Sequence, residues 1–285
     1  MATAALAAGS GAYRVEVPDA RALALGGAFV AVADSPVAVL YNPAGMTQIK
    51  QAEISANMSL VQPHEMAHPD STQKTKMQQK GFLIPSLFSV TPLSDKVALG
   101  VGVTSEWGLG TEWAQDSFAR YVATRSTLRN EDYLITTAYQ FSEQVSLGIG
   151  ATIDQSTISK EKKMNQGGAD ANFKLDGDNT AAGFQVSGLY KLNERHQFGL
   201  QYNSDIRRKY HGKVHLDGMN AGLMGTSFPS SSYETDVVSK STLPQSVDLG
   251  YSFKPTEKLL LSADILWMDW SSTKEEELAY PSETN

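Results

Sequence analysis

Apolar and polar positions alternate with a period of two through most of this chain. Val97, Leu99, Val101 and Val103 alternate with Ala98, Gly100, Gly102 and Thr104, and Val145, Leu147, Ile149, Ala151 and Ile153 alternate with Ser146, Gly148, Gly150, Thr152 and Asp154. Phe198, Leu200 and Tyr202, and later Val247, Leu249, Tyr251 and Phe253, repeat the pattern against Gly, Gln, Asn, Asp and Ser. One face of each segment is apolar and the other small or polar, as a β-strand between two environments requires. The polar stretches between them are very unequal. Tight turns fall at Pro92-Leu93-Ser94-Asp95-Lys96, Ser142-Glu143-Gln144, Asn193-Glu194-Arg195-His196 and Pro255-Thr256-Glu257, while long loops are expected at 63–79, 108–128, 159–180 and 212–242. Short turns at one end and long loops at the other predict an all-β fold, an antiparallel up-and-down transmembrane β-barrel.

A soluble sandwich alternates in the same way, so two further details decide. The runs are about 10–13 residues long against the ~5–6 of ordinary strands. Aromatic residues stand beside the short turns: Tyr139 and Phe141, then Tyr190, then Tyr251 and Phe253. That depth suits a membrane interface.

Composition narrows the classes. The 285 residues contain no run of 18 or more apolar positions, which excludes a helical membrane protein. There is no cysteine, hence no disulfide or thiolate-metal framework. A net charge of −7 with scattered basic residues argues against nucleic acid as a partner. The one basic cluster, Arg207-Arg208-Lys209, falls where a strand enters a long loop and reads as a solvated rim.

The chain divides into three parts. Residues 1–8, ending in an A-x-A-like stretch before Gly9-Ser10-Gly11, read as the remnant of a signal peptide, with a flexible Ala/Gly-rich terminus as the alternative. Residues 9–49 form a hatch. They are rich in small residues and helix-leaning, with Pro18 as a first-turn proline, a break at Gly26-Gly27 and an Asn-Pro turn in Leu40-Tyr41-Asn42-Pro43-Ala44-Gly45-Met46. So short a segment cannot fold alone and must pack inside something, for which a barrel lumen is available. Residues 50–285 carry the strands.

In series, Ala20-Arg21-Ala22-Leu23, Ala33-Asp34, Asn42-Pro43-Ala44, Ile84-Pro85-Ser86-Leu87-Phe88, the segment from Gly100 to Trp113 and Leu243-Pro244 resemble the FadL-type outer-membrane transporters of long-chain fatty acids and other hydrophobic compounds. The resemblance implies a 14-stranded barrel in the outer membrane of a Gram-negative bacterium, plugged by a small helical N-terminal hatch. About nine strands are expected here: 50–62, 80–91, 96–107, 129–141, 145–158, 181–192, 197–211, 243–254 and 258–271. An open sheet would leave two edges in lipid, where each unsatisfied backbone group costs several kcal/mol. The polar end from Glu275 to Asn285 offers no closing strand, so the reading at this point is a barrel cut in an outer loop.

The function implied is passive transport of fatty acids or aromatic hydrocarbons: capture at outer loops, an apolar lumen pocket, and sideways exit into the bilayer. Trp107, Gly108, Leu109, Gly110 and Trp113, with Phe118 and Tyr121 beyond them, suit apolar capture, since buried alkyl chain is worth ~0.8 kcal/mol per CH₂; interface anchoring would need the same aromatics. Gly108 and Gly110 stand where the third strand ends and the family opens its wall, either as a kink or as ordinary turn residues. The resemblance sets Asn42, Pro43 and Ala44 against that opening and Tyr13 in the ligand pocket, the alternative for the tripeptide being a rigid turn without ligand contact. Asp34 and Arg21 are candidates for a buried pair holding the hatch. Lys160, Lys162, Lys163, Arg120 and Arg125 are candidates for a carboxylate, none singled out. Outer-membrane lipid and lipopolysaccharide are the expected surroundings, and the protein is expected to be a monomer.

His64-Glu65-Met66-Ala67-His68 fits a zinc-hydrolase pattern, which needs both histidines on one helix. Pro63 and Pro69 bracket it too closely for such a helix. Asp176-Gly177-Asp178-Asn179 reads as a turn rather than a Ca²⁺ loop. No catalytic residue, metal or cofactor is therefore assigned. Two other classes stay open: a structural or adhesin-like outer-membrane barrel, and an outer-membrane lipid hydrolase.

Overall fold

The alternating segments are antiparallel strands in the computed structural model, which describes residues 14–15, 18–67, 75–78, 81–220, 231–273 and 277–281. The wall consists of β1 (Glu53–Val61), β2 (Phe82–Pro92), β3 (Val97–Thr104), β4 (Arg125–Gln140), β5 (Val145–Met164), β6 (Ala171–Lys191), β7 (His196–Asn203), β8 (Ile206–Asp217), β9 (Ser232–Leu243), β10 (Ser246–Thr256) and β11 (Leu259–Met268). Neighbours pair in the order β1-β2-β3-β4-β5-β6-β7-β10-β11, while β8 and β9 form a hairpin whose first strand also lies on β6. β7 and β8 are one pass interrupted at Ser204 and Asp205; β9 and β10 are one pass interrupted at Pro244 and Gln245. The described residues therefore carry nine passes, as the alternation predicts, in an open sheet edged by β1 and β11.

Near the short turns the outward face is apolar. Leu147, Ile149 and Ile153 of β5 point out, as do Phe184, Val186 and Tyr190 of β6 and Leu249 and Tyr251 of β10. This is a lipid-facing band, with Tyr139, Phe141, Tyr190 and Tyr251 at its lower margin.

The long polar stretches are the main departure from expectation. β4, β5 and β6 have 16, 20 and 21 residues, whereas a membrane-spanning strand needs about 9–11. The expected loop at 159–180 is mostly the upper part of the β5–β6 hairpin, and that at 212–242 contains much of the β8–β9 hairpin. The loop at 108–128 holds a short strand, Leu109–Glu112, on β4; that at 63–79 holds Met66–Ala67 paired with Thr75–Lys76. Asp176, Gly177, Asp178 and Asn179 lie within β6, not in a turn. Met66 and Ala67 are extended rather than helical, and His68 lies outside the described residues.

The physical reason is that the alternation changes phase. Above the lipid band the outward face carries Thr157, Lys174, Asp178 and Lys209, and the inward face carries Ile158, Leu175, Val214 and Val237. Outside the membrane the outer face meets water, so a strand there is polar outside and apolar inside. Such a stretch looks loop-like when lipid-facing alternation is the template.

The hatch comprises α1 (Ala20–Ala24), α2 (Ala38–Tyr41) and a 3₁₀ turn (Pro43–Gln48). Asp19 caps α1, its carboxylate accepting from Arg21 N and Ala22 N at 2.9 Å. Phe29, Val37, Ala38, Val39 and Met46 are fully buried and pack with Phe88, Val90, Ala98, Leu134 and Ala138 of the wall. Small inward residues make that approach possible: a Cβ on Gly148 would collide with the backbone of Pro43 and Ala44. So little of the hatch is regular helix that its carbonyls need outside donors. The wall supplies them: Gln185 Nε2 donates to Val39 O at 3.0 Å, and Gln201 Nε2 donates to Leu40 O at 2.7 Å. Gln197 likewise donates to Ala31 O.

Candidate ligand path

At the top of the inner face, Ile158, Leu175, Tyr210, Val214 and Val237 form a buried apolar cluster, flanked by Leu128, Phe173 and Leu216. Four passes meet there because the extended hairpins bring their inward residues to one height. Below it runs a charged belt. Arg208 Nε donates to Asp154 Oδ1 at 2.9 Å and its Nη2 donates to Oδ2, with both side chains essentially inaccessible. Asn130 and Asn179 also donate to Asp154, and Ser156 Oγ donates to Tyr210 Oη at 3.1 Å. Arg208 therefore overturns the rim reading of the basic cluster. Alternation turns it inward while Arg207, next to it, is exposed. The available signal was phase: Arg208 shares parity with Tyr210 and Asp154 with Thr152, but a run of three basic residues obscured it.

The third pass, expected to run to residue 107, breaks earlier. β3 ends at Thr104 and pairing with β4 resumes at Leu109↔Leu128. In between, Arg14 bridges to Trp107, Val15 N donates to Glu106 O at 2.6 Å, and Arg14 Nη2 lies 3.3 Å from Glu106 Oε1. Trp107 N donates to Asn130 Oδ1 at 3.3 Å, tying the break to the charged belt. The two glycines do not work as left-handed kinks, since neither is among the positive-φ residues. Gly110 instead leaves room for the ring of Phe82, which a Cβ would strike.

The aromatic candidates separate into two groups. Trp107 is buried in a cluster with Ile206 and Leu243, flanked by Met268, and meets Trp270 edge-on at 6.3 Å. Trp113 and Phe118 pack edge-on at 5.7 Å in the outer loop. Tyr121 stands beside them in sequence, its Oη donating to Asp170 Oδ1 at 3.0 Å with Arg120 4.4 Å above its ring. Leu109 contributes its backbone to the strand on β4, and Tyr13 lies outside the described residues.

Asn42, Pro43 and Ala44 sit elsewhere. Asn42 is fully buried; its Nδ2 donates to Val30 O at 2.7 Å and Gly188 O at 3.1 Å, and its Oδ1 accepts from Ala44 N at 3.1 Å. Ala44 N also donates to Ser187 Oγ at 3.0 Å. The tripeptide thus ties the hatch to β6 rather than to the break after β3, because Asn-Pro-Ala is the cap of the 3₁₀ turn and β6 offers the matching acceptors. Arg21 and Asp34 do pair, at 2.6 and 3.1 Å, but with exposed side chains, so the pair is not buried.

The candidate carboxylate ligands are largely engaged. Arg120 faces Asp170 at 3.5 Å, Arg125 faces Glu161 at 3.7 Å, Lys163 donates to Asn172 at 2.6 Å and Lys162 lies over Phe173.

Known proteins share this architecture. A crystal structure of a Pseudomonas aeruginosa FadL homologue superimposes with a TM-score of 0.78 at 19% identity, over 95% of this chain and 72% of that one. The Pseudomonas putida toluene transporter TodX superimposes with a TM-score of 0.65 at 19% identity, over 87% and 69%. In sequence, the 47 kDa outer membrane protein of Pasteurella multocida is 24% identical over 96% of this chain and 69% of its own length. A long-chain fatty acid transport protein of Escherichia coli is 25% identical over 64% of this chain and 47% of its own. The model of the outer membrane protein transport family (OMPP1/FadL/TodX) matches residues 1–283, and the chain belongs to that family of outer-membrane β-barrel proteins.

Proposed function

We propose that this protein conducts hydrophobic solutes across the outer membrane by a dry route, and that it has no enzymatic role. The observation that carries the reading is the phase change of β4–β6 and β8–β9, which lines the inner face with apolar side chains above the hatch packed on the lower wall. An apolar solute caught at Trp113 and Phe118 gains about 0.8 kcal/mol per CH₂ by moving onto Ile158, Leu175, Val214 and Val237. It cannot continue axially, because Phe29, Val39 and Met46 fill the lower lumen. The break after β3, closed by Arg14 and Val15, supplies a sideways exit.

Relatives named for fatty acids and for toluene bracket the substrate class. The buried position of Arg208, already held by Asp154, favours solutes whose apolar part dominates recognition. A purely structural barrel has no need of a hatch tied to its wall by Asn42, Gln185 and Gln201. Uptake of labelled oleate and toluene by cells carrying the full chain tests the reading. Uptake no greater than in cells without the barrel would sink it, and Val214→Asp with Val237→Asp should lower it severalfold.

A further inference from the structure

β6 runs unbroken from Ala171 to Lys191, but the pass beside it does not. The β6–β7 ladder ends with Gln185 opposite Asn203, and pairing resumes on β8 only with Asp178 opposite His211. Ser204 N still donates to Phe184 O at 2.9 Å, so residues 179–183 face residues 205–210, one more on the second strand, and the flanking registers differ by one residue. Side chains patch the ends of the gap. Phe184 N donates to Ser204 Oγ at 2.9 Å, and Lys209 N donates to Asn179 Oδ1 at 2.7 Å. The next pass is interrupted at the same height, at Pro244, which has no N–H to donate.

On the outer face of this gap lies a recess of about 740 Å³, reaching from Ala182 and Phe184 to Arg207 and Lys209. On its inner face a small cavity is bounded by Trp107, Ile206, Leu243 and Met268. Gly183, Phe184 and Ser204 line both, so a single layer of backbone separates them. A Cβ at Gly183 would come 2.7 Å from Cγ1 of Ile206, which covers the gap from inside. The gap sits where the lipid band, marked by Phe184 and Val186, gives way to charged residues.

We propose that this gap between β6 and β8 is a second exit through the wall, by which hydrophobic solutes pass from the Trp107–Ile206 cluster into the outer leaflet. The proposal rests on the transport reading above and is separate from the break after β3. A continuous ladder can open only by losing several backbone bonds at once, each left unsatisfied in lipid. Here one backbone bond, from Ser204 N to Phe184 O at 2.9 Å, and the side-chain bonds of Ser204 and Asn179 hold the ends, so losing that single backbone bond with rotation of Ile206 frees the layer without unzipping a strand.

The chain has no cysteine, so introduced thiols are its only ones. Ala182→Cys with Arg207→Cys places two outward thiols across the gap, and Val186→Cys with Tyr202→Cys places two across intact ladder. Uptake of labelled toluene and oleate is measured in each preparation before and after bridging with dibromobimane, with completion read by mass spectrometry. Bridging the gap should cut uptake at least about fivefold, and bridging the ladder should leave it unchanged, as expected for a conformational gate. Complete bridging of the gap with undiminished uptake would overturn the second exit and leave the transport reading standing. An unbridged protein with no uptake above barrel-free cells would overturn that reading, and this exit with it.

Discussion

The lower and upper halves of β5 show one strand under two sets of rules. Below, Leu147 and Ile149 face out and Ser146 and Gly148 face in; above, Thr157 faces out and Ile158 faces in. The backbone and its pairing with β4 and β6 continue unchanged through the transition. What differs is the medium outside and the cargo inside, lipid against a hatch below and water against an apolar surface above. The side-chain phase of a strand therefore reports its surroundings, not merely its conformation. Asp154, Arg208 and Asn130 occupy the level at which the two phases meet.

That boundary is where a substitution should do most damage. Asp154→Ala leaves Arg208 buried without its carboxylate and should cost about 3–5 kcal/mol, read as a lower urea midpoint in detergent, with Asp154→Leu plus Arg208→Met recovering most of it. The halves themselves can be set against each other. Ile149→Arg puts a charge on the lipid face and should cost about 2–4 kcal/mol in bilayers. Thr157→Arg, on the same side of the same strand, should change stability by no more than about 0.5 kcal/mol; an equal cost at both positions would refute the assignment of the two media.

Two smaller effects sharpen the contrast between what is buried and what is exposed in the hatch. Asn42→Ala orphans Val30 O and uncaps the 3₁₀ turn, and should cost about 1–3 kcal/mol, with faster proteolysis of the N-terminal segment. Asp34→Asn removes an exposed ion pair with Arg21 and should cost at most ~1 kcal/mol, measured by the same midpoint.

The pass count and the outward faces of the lower half were legible because lipid demands an apolar residue at every second position. The upper half was hidden, since Thr157, Lys174, Asp176 and Asp178 read as loop unless an apolar inner face is sought on the opposite parity. The sequence extends the third strand to residue 107 and sets a kink at Gly108 and Gly110, whereas pairing stops at Thr104 and resumes at Leu109. The placement of Asn42 was not, because an Asn-Pro-Ala turn specifies its own shape but not which strand supplies the acceptors. The gap beside Gly183 left a weaker trace in Leu243-Pro244, visible only once the neighbouring register was known. Arg208 lay concealed between Arg207 and Lys209, where charge drew attention away from parity.

The glutamines that hold the hatch also set an order of assembly. Val39 O waits for Gln185, 146 residues later, and Leu40 O waits for Gln201, 161 residues later. Loops that long close slowly, and contacts across them form only once the intervening topology exists. The hatch also reaches Asp264 of β11 from Val30 N, 234 residues away, so its full set of bonds requires the wall from β1 to β11 to stand around it.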